Sequence, residues 1–285
     1  MADHLTLFEV GPRDGLQNEA RLVATRDKIA LVDSLSLCGF AKIEVTSFVS
    51  PKWVPQLADA GAVMAGITRR PGTSYAALTP NLKGYQAALA ARADEVAIFA
   101  SASEGFSRRN INCSIAESLD RFRPLLLAAQ VAGIPVRGYV SCICDCPYDG
   151  PTSPSAVAKV TGQLIAMGCY EVSLGDTIGR GTPQKVAVLL DAVLELTGPS
   201  LLAGHFHDTD GRAADNIRLC LGRGLRTFDA SVAGFGGCPF APGARGNVAT
   251  ETVLALAEAE GLSTGIDRDR LAAVATFART LRSTP

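Results

Sequence analysis

The feature that most limits what this chain can fold into is an alternation. A short stretch of strand character is followed by a stretch of helical character, and the pair recurs eight times. LTLFEV precedes TRDKIALVDSLSLCG, AKIEVTSF precedes VPQLADAGAVMAGI, SYAALTP precedes NLKGYQAALAARA, and DEVAIFAS precedes SIAESLDRFRPLLLAAQVAG. PVRGYVSC, YEVSLGD, SLLAGHFHD and LRTFDASV open the remaining four units, and a further helix spans Arg268 to Arg282. Strands joined through helices run parallel and need cover on both faces, so the class is α/β. Eight units predict a closed (β/α)8 TIM barrel with one additional C-terminal helix, in a single domain over 1–285. A doubly wound open sheet is the competing architecture, but it would carry a glycine fingerprint after its first strand, and GPRDGLQNE is not one.

The barrel reading makes a demand that can be checked on the sequence: reactive residues should follow the strands, at one face. Arg13 and Asp14 follow the first strand, Glu44 ends the second and Asp176 follows the sixth. His205 and His207 end the seventh, and Cys238 and Asn247 lie in the loop after the eighth. The chain has only three His, and two stand in His205-Phe-His207-Asp208. At strand periodicity residues i and i+2 share a face, so both imidazoles aim at one point, which is half of a divalent-metal site. With the Asp14 carboxylate and the Asn247 amide oxygen they form a mixed oxygen and nitrogen set suited to Mg2+ or Mn2+, leaving positions for a chelating substrate. Each residue also has a plainer use. Asp14-Gly15 is a turn dipeptide, Asn247 could cap the next helix, and HxH could merely close a strand.

Cys238 lies in VAGFGGCPFAPGARGNVATE, a loop rich in Gly and Pro of the kind that closes over a site. Cys142, Cys144 and Cys146 lack the spacing of zinc sites, and their alternation predicts one face of a strand end with a structural role. Cys38, Cys113, Cys169 and Cys220 read as small apolar residues. Eight Cys without a compact framework point to a reducing cytoplasm, and MADHLTLFEV enters a strand with no leader pattern. A net charge of -1 with 19% charged residues predicts no nucleic-acid surface. The absence of an apolar run of roughly 18 residues predicts no membrane span.

EVGPRDGLQNE, IEVTSFVSPKWVPQ, LTPNLKG, NINCSIAES, RGYVSC with CPY, SLGDTIGRGTP, HFHDTDG and SVAGFGGCPFAPGARGNVATE occur in an order that resembles the 3-hydroxy-3-methylglutaryl-coenzyme A lyase family. The resemblance implies a metal-dependent TIM-barrel lyase that releases acetyl-coenzyme A and acetoacetate, the chemistry of leucine degradation and ketone bodies. It implies Asp14, His205, His207 and Asn247 as metal ligands, Arg13 on the substrate carbonyl and Cys238 as the catalytic thiol. Glu44, Asp176 and Glu251 become supporting carboxylates, Glu44 and Asp176 on the substrate side. The base that takes the hydroxyl proton is left open between Asp14, His205 and a metal-bound water. An acyl-coenzyme A partner and a homodimer are expected.

Three positions depart from the family pattern: Asp210 replaces an aromatic, Arg245 replaces Ser, and Ala20 stands where Lys is common. An Asp210–Arg245 pair across the mouth would alter the acyl pocket, so a longer branched 3-hydroxyglutaryl thioester is an alternative substrate. A condensing synthase relative is a second alternative, which usually reads HxHND and lacks GGCP. A non-catalytic metal-binding or scaffold protein that kept the barrel is the third.

Overall fold

The computed structural model describes residues 3–236 and 246–282. Eight parallel strands form a closed barrel: β1 (Thr6–Glu9), β2 (Lys42–Ser47), β3 (Ser74–Leu78), β4 (Glu95–Ser101), β5 (Val136–Ser141), β8 (Glu171–Asp176), β9 (Leu202–Phe206) and β10 (Thr227–Ala230). They neighbour one another in that order, and β1 closes on β10 through the pairs Thr6 with Thr227 to Glu9 with Ala230. The helices between them are α1 (Thr25–Ser36), α2 (Ala60–Gly66), α3 (Leu82–Ala90), α5 (Ile115–Ala132), α6 (Pro154–Ala166), α7 (Pro183–Leu194), α8 (Ala213–Gly222) and α9 (Thr250–Ala259). The additional helix α10 (Arg268–Leu281) closes the described chain, as the sequence predicts. No helix among the described residues is long and apolar enough to cross a membrane.

Local chemistry explains the boundaries. Ser114 and Glu117 form a reciprocal capping box on α5, and Gly133 ends it in the left-handed conformation (φ +67). Pro154 and Pro183 open α6 and α7 behind Ser153 and Thr182, whose side chains accept a hydrogen bond from the first turn. The outward face of each strand, such as Val172 and Leu174 of β8, packs on the inward stripes of the helices in one continuous core.

Two elements have no counterpart in the alternation. A short helix α4 (Glu104–Ile111), capped by Ser103, precedes α5. A two-stranded hairpin, β6 (Asp145–Cys146) with β7 (Gly150–Pro151), follows β5. The hairpin corrects the reading of Cys142, Cys144 and Cys146 as one strand face. Cys142 turns out of β5 at φ +60 and meets Cys146 and Phe106, whereas Cys144 joins the main core. Their role is structural nonetheless: all three are buried, and burial pushes the Cys142 and Cys144 thiols well up.

The register directs alternate residues to the axis. Phe8 pairs with Asp229, and Asp229 with His205, which pairs in turn with Gly175. The interior is strongly polar at its centre. Arg137 is 1% exposed, lies 4.4 Å over the Phe8 ring, donates to Glu171 Oε1 at 2.7 Å and pairs with Asp229 at 2.8 Å.

Candidate metal centre and active site

Asp14 reaches the barrel mouth from an unusual turn. Residues Gly11–Gly15 form one turn of π-helix directly after β1, with the N–H groups of Arg13, Asp14 and Gly15 all converging on the Val10 carbonyl. Such wide turns are frequent at functional sites, and here Pro12 supplies the helical φ at the start. The turn sets Arg13 and Asp14 side by side: Arg13 Nη1 donates to Asp14 Oδ1 at 2.6 Å, and Arg13 Nε donates to Glu44 Oε2. Glu44 sits inside β2 rather than at its end, completely buried, where the pairing with β3 slips by one residue between Glu44 and Thr46. Tyr139, from β5, donates to the same Glu44 oxygen at 3.2 Å and lies under the Arg13 guanidinium.

His205 is the penultimate residue of β9, and its side chain points to the axis, where Gly175 leaves room for it. Its Nδ1 lies 3.0 Å from Asp229 Oδ2, an oxygen that also accepts from Ser173. That partner keeps the proton on Nδ1 and turns the Nε2 lone pair towards Asp14, 3.9 Å away. His207 falls one residue beyond β9, in an isolated bridge to Asn247. The segment 246–249 is stitched between the ends of β9 and β10 by Asp208 N–H to Gly246, Val248 N–H to Phe206 and Ser231 N–H to Val248. Asn247 thereby reaches Asp14: its Nδ2 donates to Asp14 Oδ2 at 2.7 Å and to the Phe235 carbonyl at 3.1 Å.

The charges fit a cation. Asp14, His205 and His207 offer ligand atoms all within 4.8 Å of one another. Burial opposes charge on Asp14, but the Arg13 guanidinium, the two imidazoles and the Asn247 amide hold its carboxyl well below the usual range. Burial and the neighbouring His205 press His207 down to about 4, so it is neutral at pH 7. His207 Nδ1 is buried with no hydrogen-bond partner among the described residues. An orphaned buried nitrogen beside a carboxylate and a second oriented imidazole is what a divalent-metal site looks like before its cation is counted.

The other predicted residues fall elsewhere. Asp176 ends β8 on the opposite face from Gly175, away from the cluster. It accepts from Gly181 N–H at 2.7 Å near Cys144, and burial raises its carboxyl to about 6. Its reach is to the loop after β8. Glu251 accepts from Ala233 N–H at 3.0 Å and from Arg279, so it braces the turn Val232–Gly234 from α9. Asp210 and Ala20 are exposed. Cys238 and Arg245 lie outside the described residues, and the proposed Asp210–Arg245 pair with them. Sequence reasoning missed Asp229, Tyr139 and Arg137. The available signal was a charged or polar residue inside an apolar strand, FDAS and VRGYV, which requires a buried partner.

Comparison with known proteins bears on the fold and the family. The profile of the HMGL-like family matches residues 4–278. A 3-hydroxy-3-isohexenylglutaryl-CoA/hydroxy-methylglutaryl-CoA lyase of Pseudomonas aeruginosa is 57% identical over 265 residues, 93% of this chain and 88% of that one. The crystal structure of an HMG-CoA lyase from Brucella melitensis superposes with a TM-score of 0.98 at 61% identity, covering 99% of each chain. An HMG-CoA lyase from Acinetobacter baumannii, solved in complex with coenzyme A and 3-methylmalate, superposes with a TM-score of 0.93 at 38% identity over 99% of this chain and 93% of that one.

Proposed function

We propose, from the premise that this chain belongs to the HMGL-like family, that its barrel mouth splits 3-hydroxy-3-methylglutaryl-coenzyme A into acetyl-coenzyme A and acetoacetate. The protein is a carbon–carbon lyase acting on an acyl-coenzyme A, in line with its relatives. The observation that carries the reading is the convergence of Asp14, His205 and His207 beside the Arg13 guanidinium.

The reaction needs three things from the protein. The tertiary hydroxyl of the substrate must lose its proton, and among the side chains Asp14 and His205 are the candidate bases. A divalent cation held by Asp14, His205, His207 and Asn247, which we take as magnesium or manganese, would supply the Lewis acidity that makes this hydroxyl easier to ionise. Carbon–carbon cleavage then moves negative charge onto the thioester oxygen, and Arg13 is the cation we assign to stabilise it. Glu44 holds Arg13 from below, so the guanidinium presents its remaining N–H groups at a fixed angle. The enolate carbon finally takes a proton, the role we assign to Cys238. Asp176 and Glu251 support the site through the loop after β8 and the turn at Ala233.

Seven described cysteines are free, which suits action in the reducing cytoplasm, and a homodimer is the assembly we expect. The purified protein should release acetoacetate from 3-hydroxy-3-methylglutaryl-coenzyme A with magnesium and none after exhaustive chelation. A parallel assay with a longer branched 3-hydroxyglutaryl thioester decides the acyl group. No cleavage of either thioester in the presence of magnesium and manganese would overturn the reading.

A further inference from the structure

Glu9, the last residue of β1, points away from the barrel axis and is completely buried. Its two oxygens collect three donors from three separate segments. Oε1 accepts from Gly11 N–H at 2.8 Å and from Val232 N–H at 2.9 Å, and Oε2 accepts from Thr250 Oγ1 at 2.6 Å. Gly11 begins the π-turn that carries Arg13 and Asp14. Val232 begins the turn leading to Phe235, whose carbonyl holds the Asn247 amide. Thr250 begins α9, three residues after Asn247.

The contacts between these segments leave no slack. A Cβ on Gly11 would lie 2.6 Å from Glu9 Oε1, one on Gly15 would lie 2.7 Å from Phe235 Cβ, and one on Gly236 would lie 2.6 Å from Asn247 Nδ2. A shift of one segment is therefore passed to the next. Stability gives a poor reason for a carboxylate here. Burial drives the Glu9 carboxyl up to about 7 against its three hydrogen bonds, so the charged form is disfavoured in place. An apolar side chain would avoid that cost but would leave the buried Gly11 and Val232 N–H groups without an acceptor, so the carboxylate is kept for what it ties together.

We propose that Glu9 is a positioning residue for the metal site, holding the Asp14 turn, the Phe235 turn and the Asn247 segment in one register through a single acceptor pair. The proposal rests on the reading of Asp14 and Asn247 as part of the metal-binding set. Oε1 joins two backbone N–H groups that have no rotational freedom, and Oε2 ties them to the start of α9. The Thr250 hydroxyl can donate or accept, so it adapts to an amide or a protonated acid at Oε2.

The test is substrate-free Mn2+ affinity of the whole protein, read by electron paramagnetic resonance, with circular dichroism to establish folding. Glu9→Gln keeps the acceptor at Oε1 and should bind Mn2+ within about threefold of the natural protein. Glu9→Leu removes it and should weaken binding about tenfold or more, the scale seen when outer-shell partners of metal sites are lost. A folded Glu9→Leu protein that binds Mn2+ as tightly as the natural one overturns the proposal, and so does a comparable loss in Glu9→Gln. If Glu9→Leu does not fold, Thr250→Val cuts only the tie to α9; weaker binding supports the proposal and unchanged binding overturns it. If the natural protein itself binds no Mn2+, the metal reading falls instead.

Discussion

Asp229 sets the electrostatics of His205, the imidazole proposed as a metal ligand. Burial opposes its charge, but Arg137 and His205 bring its carboxyl down to about 2, so it is ionised throughout the neutral range. Facing that charge, His205 is raised above its ordinary value despite burial, whereas His207 is lowered to about 4. A proton and a cation compete for the same imidazole nitrogen. The group with the raised pKa loses that competition first as pH falls, so metal affinity should begin to drop near or above the ordinary His value of about 6.5 and not near 4. Asp229→Asn should weaken Mn2+ binding about 10–100-fold and move the pH profile to lower values, both measurable by titration without substrate. Cys238→Ala should cut turnover about 10²–10⁴-fold with metal affinity unchanged, as expected for loss of a general acid; steady-state kinetics beside Mn2+ binding checks both halves. At this scale the sequence discloses residue types well. Asp14, Arg13 and the two imidazoles are legible because each lies at or just beyond the end of a strand in a recognisable run. Asp229 and Glu9 are not, because their importance comes from which strand lies beside them.

The turn Val232–Gly234 is the element on which the described site depends most. Ala233 sits in the left-handed region at φ +56, a conformation that costs about 1 kcal/mol or more for a residue with a Cβ. It is held there from three sides. Glu9 takes the Val232 N–H, Glu251 takes the Ala233 N–H, and Arg282 at the end of α10 donates to the Gly234 carbonyl. The next glycine, Gly236, has φ +95 and almost touches the Asn247 amide. Gly236→Ala should therefore displace Asn247. We expect Mn2+ affinity and turnover to fall about tenfold or more, with a loss of about 1–3 kcal/mol in urea unfolding. A neutral result in both would show that Asn247 tolerates the shift. Elements of regular period are legible in the sequence almost to their ends, and Gly133 and Ser114 mark α5 openly. The hairpin β6–β7 is not, because two-residue strands have no period, and Cys142 leaves β5 by a backbone turn that alternation cannot foresee.

The molecule as a whole is a barrel whose centre holds ions instead of oil. Arg137 joins Glu171 and Asp229 deep among the strands, and Lys42 reaches Glu95 and Tyr170 nearby. Removing Arg137 leaves Glu171 and Asp229 buried without their cation, so Arg137→Ala should cost about 3–5 kcal/mol. The acid side gives a second check. The folded-state pKa of Asp229 is about 2, below the unfolded value of about 3.9. Its contribution is complete above the unfolded value and is lost as pH falls through the interval between the two. Without Arg137 that folded value rises, and acid unfolding followed by circular dichroism should begin at higher pH.

The closure of β1 on β10 also has a consequence in time. Asp14 follows the first strand of the barrel, while His205, His207 and Asn247 belong to its last quarter. A ribosome adds about 5–20 residues per second, so the early carboxylate waits tens of seconds for the late imidazoles. Through that interval β1 has no β10 to pair with and stands as an open edge. The growing polypeptide cannot acquire its cation, or its chemistry, by degrees. Activity in a synchronised translation should appear as a step, after the last strand has left the exit tunnel.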